Sequence, residues 1–147
     1  MTALTAPYVL EYTYRRSTGP VIGRFLGALK DSRIEGMRTK DGRVIVPALE
    51  YDPENGDALS EFVEVKDCGT VQSWAWVYEP RETHPLSKPF AWVMVKLDGA
   101  STAITHALEV DTPELVSTGM RVKVDWQTER MGFITDIRCF VPETMND

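Results

Sequence analysis

Cysteine is scarce in this chain of 147 residues: Cys68 and Cys139 are the only two. Two thiols cannot build a disulfide framework or a four-cysteine zinc cage. Histidine is equally scarce, with His84 in a proline-rich loop and His106 inside a predicted strand, neither in a metal-ligand motif. A glycine-rich phosphate loop and a nucleophile-elbow pentapeptide are both missing. No apolar run approaches the roughly 20 residues of a membrane span. The opening Met1-Thr2-Ala3-Leu4-Thr5-Ala6-Pro7 lacks the basic and apolar regions of a secretory signal. A cytoplasmic protein with no membrane association is the expectation.

Basic charge is also in short supply: 16 basic against 22 acidic residues leave a net charge of −6. Phosphate-backbone binding draws its non-specific affinity from counterion release by Lys and Arg, so this balance argues against nucleic acid as partner. What the chain does have is ordinary globular material, 43 % hydrophobic and 26 % charged, in an amount that suits one domain with a real core.

From Gly69 onward, five apolar runs alternate with turn chemistry. Val71–Tyr78 is the first, followed by a loop with three prolines, Pro80, Pro85 and Pro89. Phe90–Leu97 ends at the Asp98-Gly99 turn, and Thr102–Val110 is the third run. Asp111–Gly119, with Pro113 near its start and Gly119 at its end, predicts one or two helical turns. In Arg121–Thr128, Val122, Val124 and Trp126 share one face, as in a half-buried strand. Gly132–Val141 is the fifth run, closed by Pro142. Five strands with a helical piece between the third and fourth is the layout of an OB-fold barrel; a five-stranded sandwich satisfies the same count.

The first 68 residues read differently. Tyr8, Leu10, Tyr12 and Tyr14 alternate, with Arg15 and Arg16 directly after them. Ser17-Thr18-Gly19-Pro20 opens a helix whose Val21, Ile22, Phe25, Leu26 and Leu29 form one apolar stripe, ending near Lys30–Ser32. Ile34–Leu49 is short-strand material with a Lys40-Asp41-Gly42 turn, and a second turn follows at Tyr51–Gly56.

Few residues suggest chemistry of their own. Cys68 has only Lys66 nearby to lower its pKa, and Cys139 alternates with apolar neighbours as a core residue does. His84 reads as a solvated loop residue and His106 as a hydrogen-bonded structural one, so no catalytic residue and no cofactor is assigned. Trp74 and Trp76 stand two residues apart on one face of the first strand. They are either core or a flat platform for a ligand, and Trp92 and Trp126 read as core. The tyrosine stripe either anchors the N-terminus or forms a partner surface, as tyrosine and arginine are enriched in interfaces.

The order of parts resembles the DUF35 family, with an N-terminal helix, a rubredoxin-like zinc ribbon and a C-terminal OB-fold. The likeness rests on Leu10-Glu11-Tyr12, Ser17–Pro20, Gly42–Pro47, Gly69-Thr70-Val71, Pro89-Phe90-Ala91, Leu97-Asp98-Gly99, Gly119–Val122 and Ile134–Ile137. It implies four segments: 1–33 with the amphipathic helix, 34–68 as the ribbon, 69–142 as the OB-fold and 143–147 as a tail. Zinc-bearing members carry two Cys-x-x-Cys knuckles, which fall here at Arg38 and Asp41, then Asp52 and Asn55. These four cannot replace thiolates, so a metal-free ribbon is expected, with an Arg38–Asp pair as a candidate for the cross-link.

The resemblance further implies a non-catalytic auxiliary subunit in a hetero-oligomer with a thiolase-fold or lipid-transfer-protein-type aldolase subunit, stabilising it and helping to bind acyl-CoA as a shared ligand. On that reading Tyr8, Leu10, Tyr12, Tyr14, Arg15, Arg16 and Phe25 are the partner-docking candidates. Trp74 and Trp76 would supply a platform for CoA, beside Arg38, Lys40 and Arg43 for its phosphates. The rival reading is a single-stranded nucleic-acid-binding OB-fold that uses the two tryptophans as stacking surfaces.

Overall fold

The computed structural model describes residues 3–144, so residues 145–147 of the expected tail lie outside the described residues. The chain folds as a mainly β protein: one helix, a small three-stranded sheet, and five strands that close into a ring. No helix among the described residues is long and apolar enough to cross a membrane.

Helix α1 spans Gly19–Lys30, with Pro20 in its first turn, where a missing N–H is harmless. The Gly19 N–H donates to the Ser17 hydroxyl at 3.2 Å, just ahead of the helix. At the other end Ser32 adopts the left-handed conformation, φ 56°, and the Arg33 N–H returns to the Ala28 carbonyl. Phe25, Ala28 and Leu29 bury the inner face, while Ile22 turns outward and is 45 % exposed. Phe25 is therefore not a docking residue. At 4 % exposure it is part of the core, one helical turn from fully buried Leu29.

Strands β1 (Ile34–Arg38), β2 (Val44–Ile45) and β3 (Glu61–Val65) form the small sheet in the order β2-β1-β3, all antiparallel. Sequence patterning missed β3, whose alternation is only five residues long. Gly36 on β1 has to be glycine: a Cβ there would lie 2.6 Å from the Ile45 carbonyl oxygen.

The ring is built from β4 (Cys68–Val77), β5 (Phe90–Leu97), β6 (Ile104–Leu108), β7 (Arg121–Trp126) and β8 (Ile137–Pro142). Its order is β4-β5-β6-β8-β7, with β7 returning to β4 over Cys68–Thr70. All pairs are antiparallel except β6 with β8, which touch in parallel at Leu108 and Phe140 alone. Where three strands crowd at Gly69, a Cβ would come within 2.3 Å of the Lys96 carbonyl oxygen.

Two predicted elements are shorter than their apolar runs. Asp111–Gly119 contains a single 3-10 turn, Pro113–Leu115. In the fifth run only Ile137–Pro142 is strand; Ile134–Asp136 is a 3-10 turn, because the Asp136 carboxylate accepts the backbone N–H groups of Met131, Gly132 and Phe133.

One hydrophobic core runs through helix, small sheet and ring, joining Leu29, Met37, Val71, Leu97 and Phe140. A second cluster, Leu86, Phe90, Ala107 and Cys139, lies under the proline-rich loop on the outer side of the ring.

Charge also ties helix to sheet. The Glu35 carboxylate is buried on β1 and accepts Arg24 Nε at 2.8 Å and Arg33 Nη1 at 3.1 Å. The Arg24 guanidinium lies 3.9 Å over the Phe62 ring. The hydrogen bond from Arg24, aided by Arg33, holds Glu35 below the usual carboxylate range. Such a carboxylate contributes stability above its unfolded pKa of about 4.3, and the contribution fades as pH falls through the lower folded value. Glu35→Gln should therefore lower stability in urea at pH 7, with the gap to wild type closing between pH 4.5 and pH 3. An equal gap at both ends of that range would show that Glu35 acts by packing alone.

Candidate functional site

Two of the four expected knuckle positions, Asp41 and Asp52, converge on an arginine outside the four. Arg43, between the Gly42 turn and β2, sends Nε to Asp41 at 2.8 Å, Nη2 to Asp52 at 2.9 Å and Nη1 to Glu54 at 2.7 Å. Asp52 is 2 % exposed, and its other oxygen accepts the Glu54 N–H, which shapes the second turn. Asp41 also accepts the Thr39 hydroxyl, and that bond, with Arg43, brings its pKa down to about 2. Two of the four positions thus face one guanidinium. Arg38 pairs instead with Glu61 at 2.9 Å, so the cross-link assigned to an Arg38–Asp pair belongs to Arg43. Asn55 accepts the Asp57 N–H and turns the loop.

The zinc implied by the family resemblance does not fit this donor set. Its two carboxylates are already engaged by the Arg43 guanidinium, and none of the four positions supplies a thiolate. Among the described residues, no three His, Cys, Asp or Glu side chains are grouped to hold a metal ion.

The same pairs engage the cations read as phosphate ligands. Arg38 is held by Glu61, Lys40 by Asp57 at 2.9 Å, and Arg43 by three carboxylates. Lys40 is the most accessible of them, its side chain 77 % exposed. Among the described residues, no hydrogen bond or ion pair links these cations to the tryptophan strand.

That strand is open. Past a bulge between Val71 and Ser73, β4 pairs with β5 alone, and Gln72–Val77 form an edge of the β4-β5-β6 sheet. Trp74 is 38 % exposed there, and Trp76 is half-buried against the main core, edge-on to Tyr78 at 6.5 Å. Trp74 and Tyr78 therefore offer flat faces outward, while Trp76 is divided between core and surface. Trp92 and Trp126 are partly buried on the ring, and Trp126 Nε1 donates to Asp67 at 3.2 Å.

Residues 3–18 carry no regular structure and are exposed throughout. Tyr8, Leu10, Tyr12 and Tyr14 are each more than 60 % exposed, and Arg15 and Arg16 are exposed beside them. A second apolar surface was not legible in the sequence. Met131, Phe133 and Ile134 are 74, 56 and 44 % exposed on the loop that the Asp136 carboxylate holds. Gly132 of that loop rests on the α1 backbone at Leu26, and Arg130 donates to the Lys30 carbonyl. The loop is a fixed apolar projection beside α1.

Neither cysteine is activated. Burial, followed by the hydrogen bond to Asp98, raises the Cys68 thiol. Burial pushes Cys139 up to about 12. Asp98 is itself held by a bidentate pair with Arg121, at 2.7 and 2.8 Å.

Residues 62–127 match the family of the ChsH2 C-terminal OB-fold domain. Among solved structures, a DUF35-family protein of unknown function from Sulfolobus solfataricus is 27 % identical and superposes with a TM-score of 0.60, over 73 % of this chain and 78 % of that one. The Ltp2-ChsH2(DUF35) aldolase is 20 % identical, with a TM-score of 0.64 over 87 % of this chain and 98 % of that one, a likeness of fold. No curated protein matches the chain. The resemblance to DUF35 proteins is thus met both by the domain family and by solved structures.

The pairs made by Arg43 and by Arg38 differ in what they bury. Asp52→Ala removes a fully buried acceptor shared by Arg43 and the Glu54 N–H, and should cost about 1–3 kcal/mol. Glu61→Ala, which breaks an exposed pair, should stay within about 1 kcal/mol. Chemical denaturation distinguishes them, and equal losses would mean that the Arg43 cluster is surface charge with no structural role.

Proposed function

With residues 62–127 a ChsH2-type C-terminal OB-fold domain, we propose that this chain is a non-catalytic accessory subunit of a thiolase-fold enzyme of the aldolase type. The observation that carries this reading is the pairing of a rigid scaffold with two exposed apolar surfaces. Large exposed apolar patches mark interaction sites, and the Met131–Ile134 loop is already held in shape, which lowers the ordering cost of docking. The aromatic segment Tyr8–Tyr14 adds a longer, adaptable contact, ordered on binding. The likeness of fold to the Ltp2-ChsH2(DUF35) aldolase supports a partner of this class.

Catalysis then belongs to the partner, in keeping with two thiols whose pKa values are raised. Any share of this chain in an acyl-CoA site falls to Trp74, Trp76, Lys40 and Arg38, because Arg43 is engaged by three carboxylates while Arg38 has the single exposed partner Glu61. Lys40 can exchange its single exposed partner, Asp57, for a phosphate.

Affinity purification of the full chain from its native cells, with mass spectrometry of the co-purifying proteins, should recover a thiolase-fold protein in stoichiometric amount. Recovery of nucleic acid in a salt-sensitive complex instead would support the stacking-surface reading. With the recovered partner, Phe133→Ser should weaken binding by about 30-fold or more, the usual effect of removing an aromatic anchor of about 2 kcal/mol. Deleting residues 1–16 should weaken it further without unfolding the ring. Trp76→Ala with Lys40→Ala should raise the KM for acyl-CoA while leaving the complex intact; an unchanged KM would place the whole CoA site on the partner.

A further inference from the structure

The second half of β4 is a free sheet edge with sharp limits. Up to Val71 its outer side is taken, since the Val71 N–H donates to the Met120 carbonyl and the Gly119 N–H to the Val71 carbonyl. From Gln72 to Val77 it pairs with β5 alone, and among the described residues no other backbone group bonds to this stretch. Pro80 closes the far end, because it has no N–H to offer. Between these limits, alternate residues turn an N–H and a carbonyl away from β5. Gln72, Ser73, Trp74 and Ala75 are all exposed, so both faces of the strand are open along with its rim.

Exposed edges are normally blocked by Lys, Pro, an inward charge or a bulge. The bulge of β4 lies at the start of the free stretch, and Gln72–Tyr78 holds no charged residue, proline or glycine. Opposite it on β5, Ala91–Met94 are uncharged too, and Met94 is 44 % exposed. Such an edge is a template for another strand, which bonds to it through the main chain. In a chain of net charge −6 it is also a place where two copies can meet without like charges facing each other. Two-fold antiparallel pairing sets each residue opposite the one equally far from a central residue. A centre at Ala75 uses the whole free stretch. Moving it to Trp74 would bring Val77 against Val71, whose rim is taken, and moving it to Trp76 would bring Gln72 against Pro80. With Ala75 central, the smallest side chain of the run meets its own copy, Ser73 faces Val77, and Trp74 faces Trp76 of the other copy twice. Opposed residues share a face, and aromatic cross-strand pairs are favourable.

We infer that the chain forms a two-fold homodimer by antiparallel pairing of β4 with β4 of a second copy, centred on Ala75. The two β4-β5-β6 sheets then become one sheet of six strands. The contact is isologous and closed, because it uses up the free edge of both copies. It takes nothing from the Met131–Ile134 loop or the Tyr8–Tyr14 segment, and it stands whether or not the chain docks on a thiolase-fold partner.

The test is analytical ultracentrifugation of the full chain alone at micromolar concentration, where it should sediment at twice its 16.6 kDa. Ala75→Lys sets two ammonium groups against each other at an exposed position, and should raise the dimer Kd by about 100-fold or more with an unchanged circular dichroism spectrum. Ala75→Cys serves if the lysine variant does not fold. It should give a disulfide-linked dimer under mild oxidation, since opposed residues of an antiparallel pair stand about 4.5–5.5 Å apart at Cα. Ser73→Cys, about 13 Å along the strand from its own copy, should not cross-link. Wild type, with Cys68 partly buried and Cys139 buried, is the control. Leu10→Pro with Tyr12→Pro in the full chain should leave the dimer intact. The inference is overturned by a monomeric wild type, by a dimer as tight in Ala75→Lys, or by Ala75→Cys cross-linking no better than Ser73→Cys. It is equally overturned if the two prolines dissolve the dimer, which would make the alternating Tyr8–Tyr14 segment the strand that pairs.

Discussion

The Arg43 guanidinium holds together two loops that otherwise have little to fix them. The small sheet is the weakest part of the molecule by length, since β2 contains only Val44 and Ile45. Arg43 precedes it and gathers Asp41 from one turn with Asp52 and Glu54 from the next. On its far side, β2 is stitched to the ring: the Val44 and Val46 N–H groups donate to the Ser101 and Thr102 hydroxyls, and the Ser101 N–H donates to the Val44 carbonyl. With the turns pinned, Val44 and Val46 are delivered to the core that Leu29, Met37 and Phe140 share. A planar fork with five donors suits this task, because it can meet three carboxylates in one plane.

That cross-link explains how one core can serve three kinds of structure. Helix, sheet and ring contribute to a single buried cluster, so none is expected to fold or melt alone. Rigidity in turn permits exposed apolar groups. The Met131–Ile134 loop stays outward because Asp136 satisfies its backbone N–H groups from below, and the loop leans on α1, which is anchored by Phe25 and Leu29. The proposed docking surface is thus a consequence of the packing beneath it.

The ring was the most legible part of the sequence. Alternation in Arg121–Trp126, the Asp98-Gly99 turn and the Pro113 turn are local signals, and the strands formed where these placed them. The helix was legible for the same reason, although its stripe did not show that Phe25 would turn inward and Ile22 outward. The Arg43 cluster was not legible, because its partners are drawn from two separate turns and any of the nearby acids could have paired with any arginine. Nor was the exposed loop: Gly132–Val141 is apolar enough to read as strand, and only the Asp136 carboxylate, by taking three N–H groups, turns its first half into a projection. Trp74 and Trp76 sat on one face as expected, but the loss of β7 pairing beyond Thr70, which leaves their strand open, is a property of the ring's closure.

Charge stands where the resemblance would place a metal, and unfolding in the presence of a chelator tests this most directly. All four tryptophans lie on the ring, and α1 is the one helix longer than a single turn among the described residues. Guanidinium chloride unfolding can therefore be followed separately by fluorescence and by helical circular dichroism. Coincident transitions are expected, with the same midpoint in excess EDTA, with added zinc and with neither. A midpoint that falls with EDTA and is restored by zinc, or a separate early transition exposed by the chelator, would contradict this.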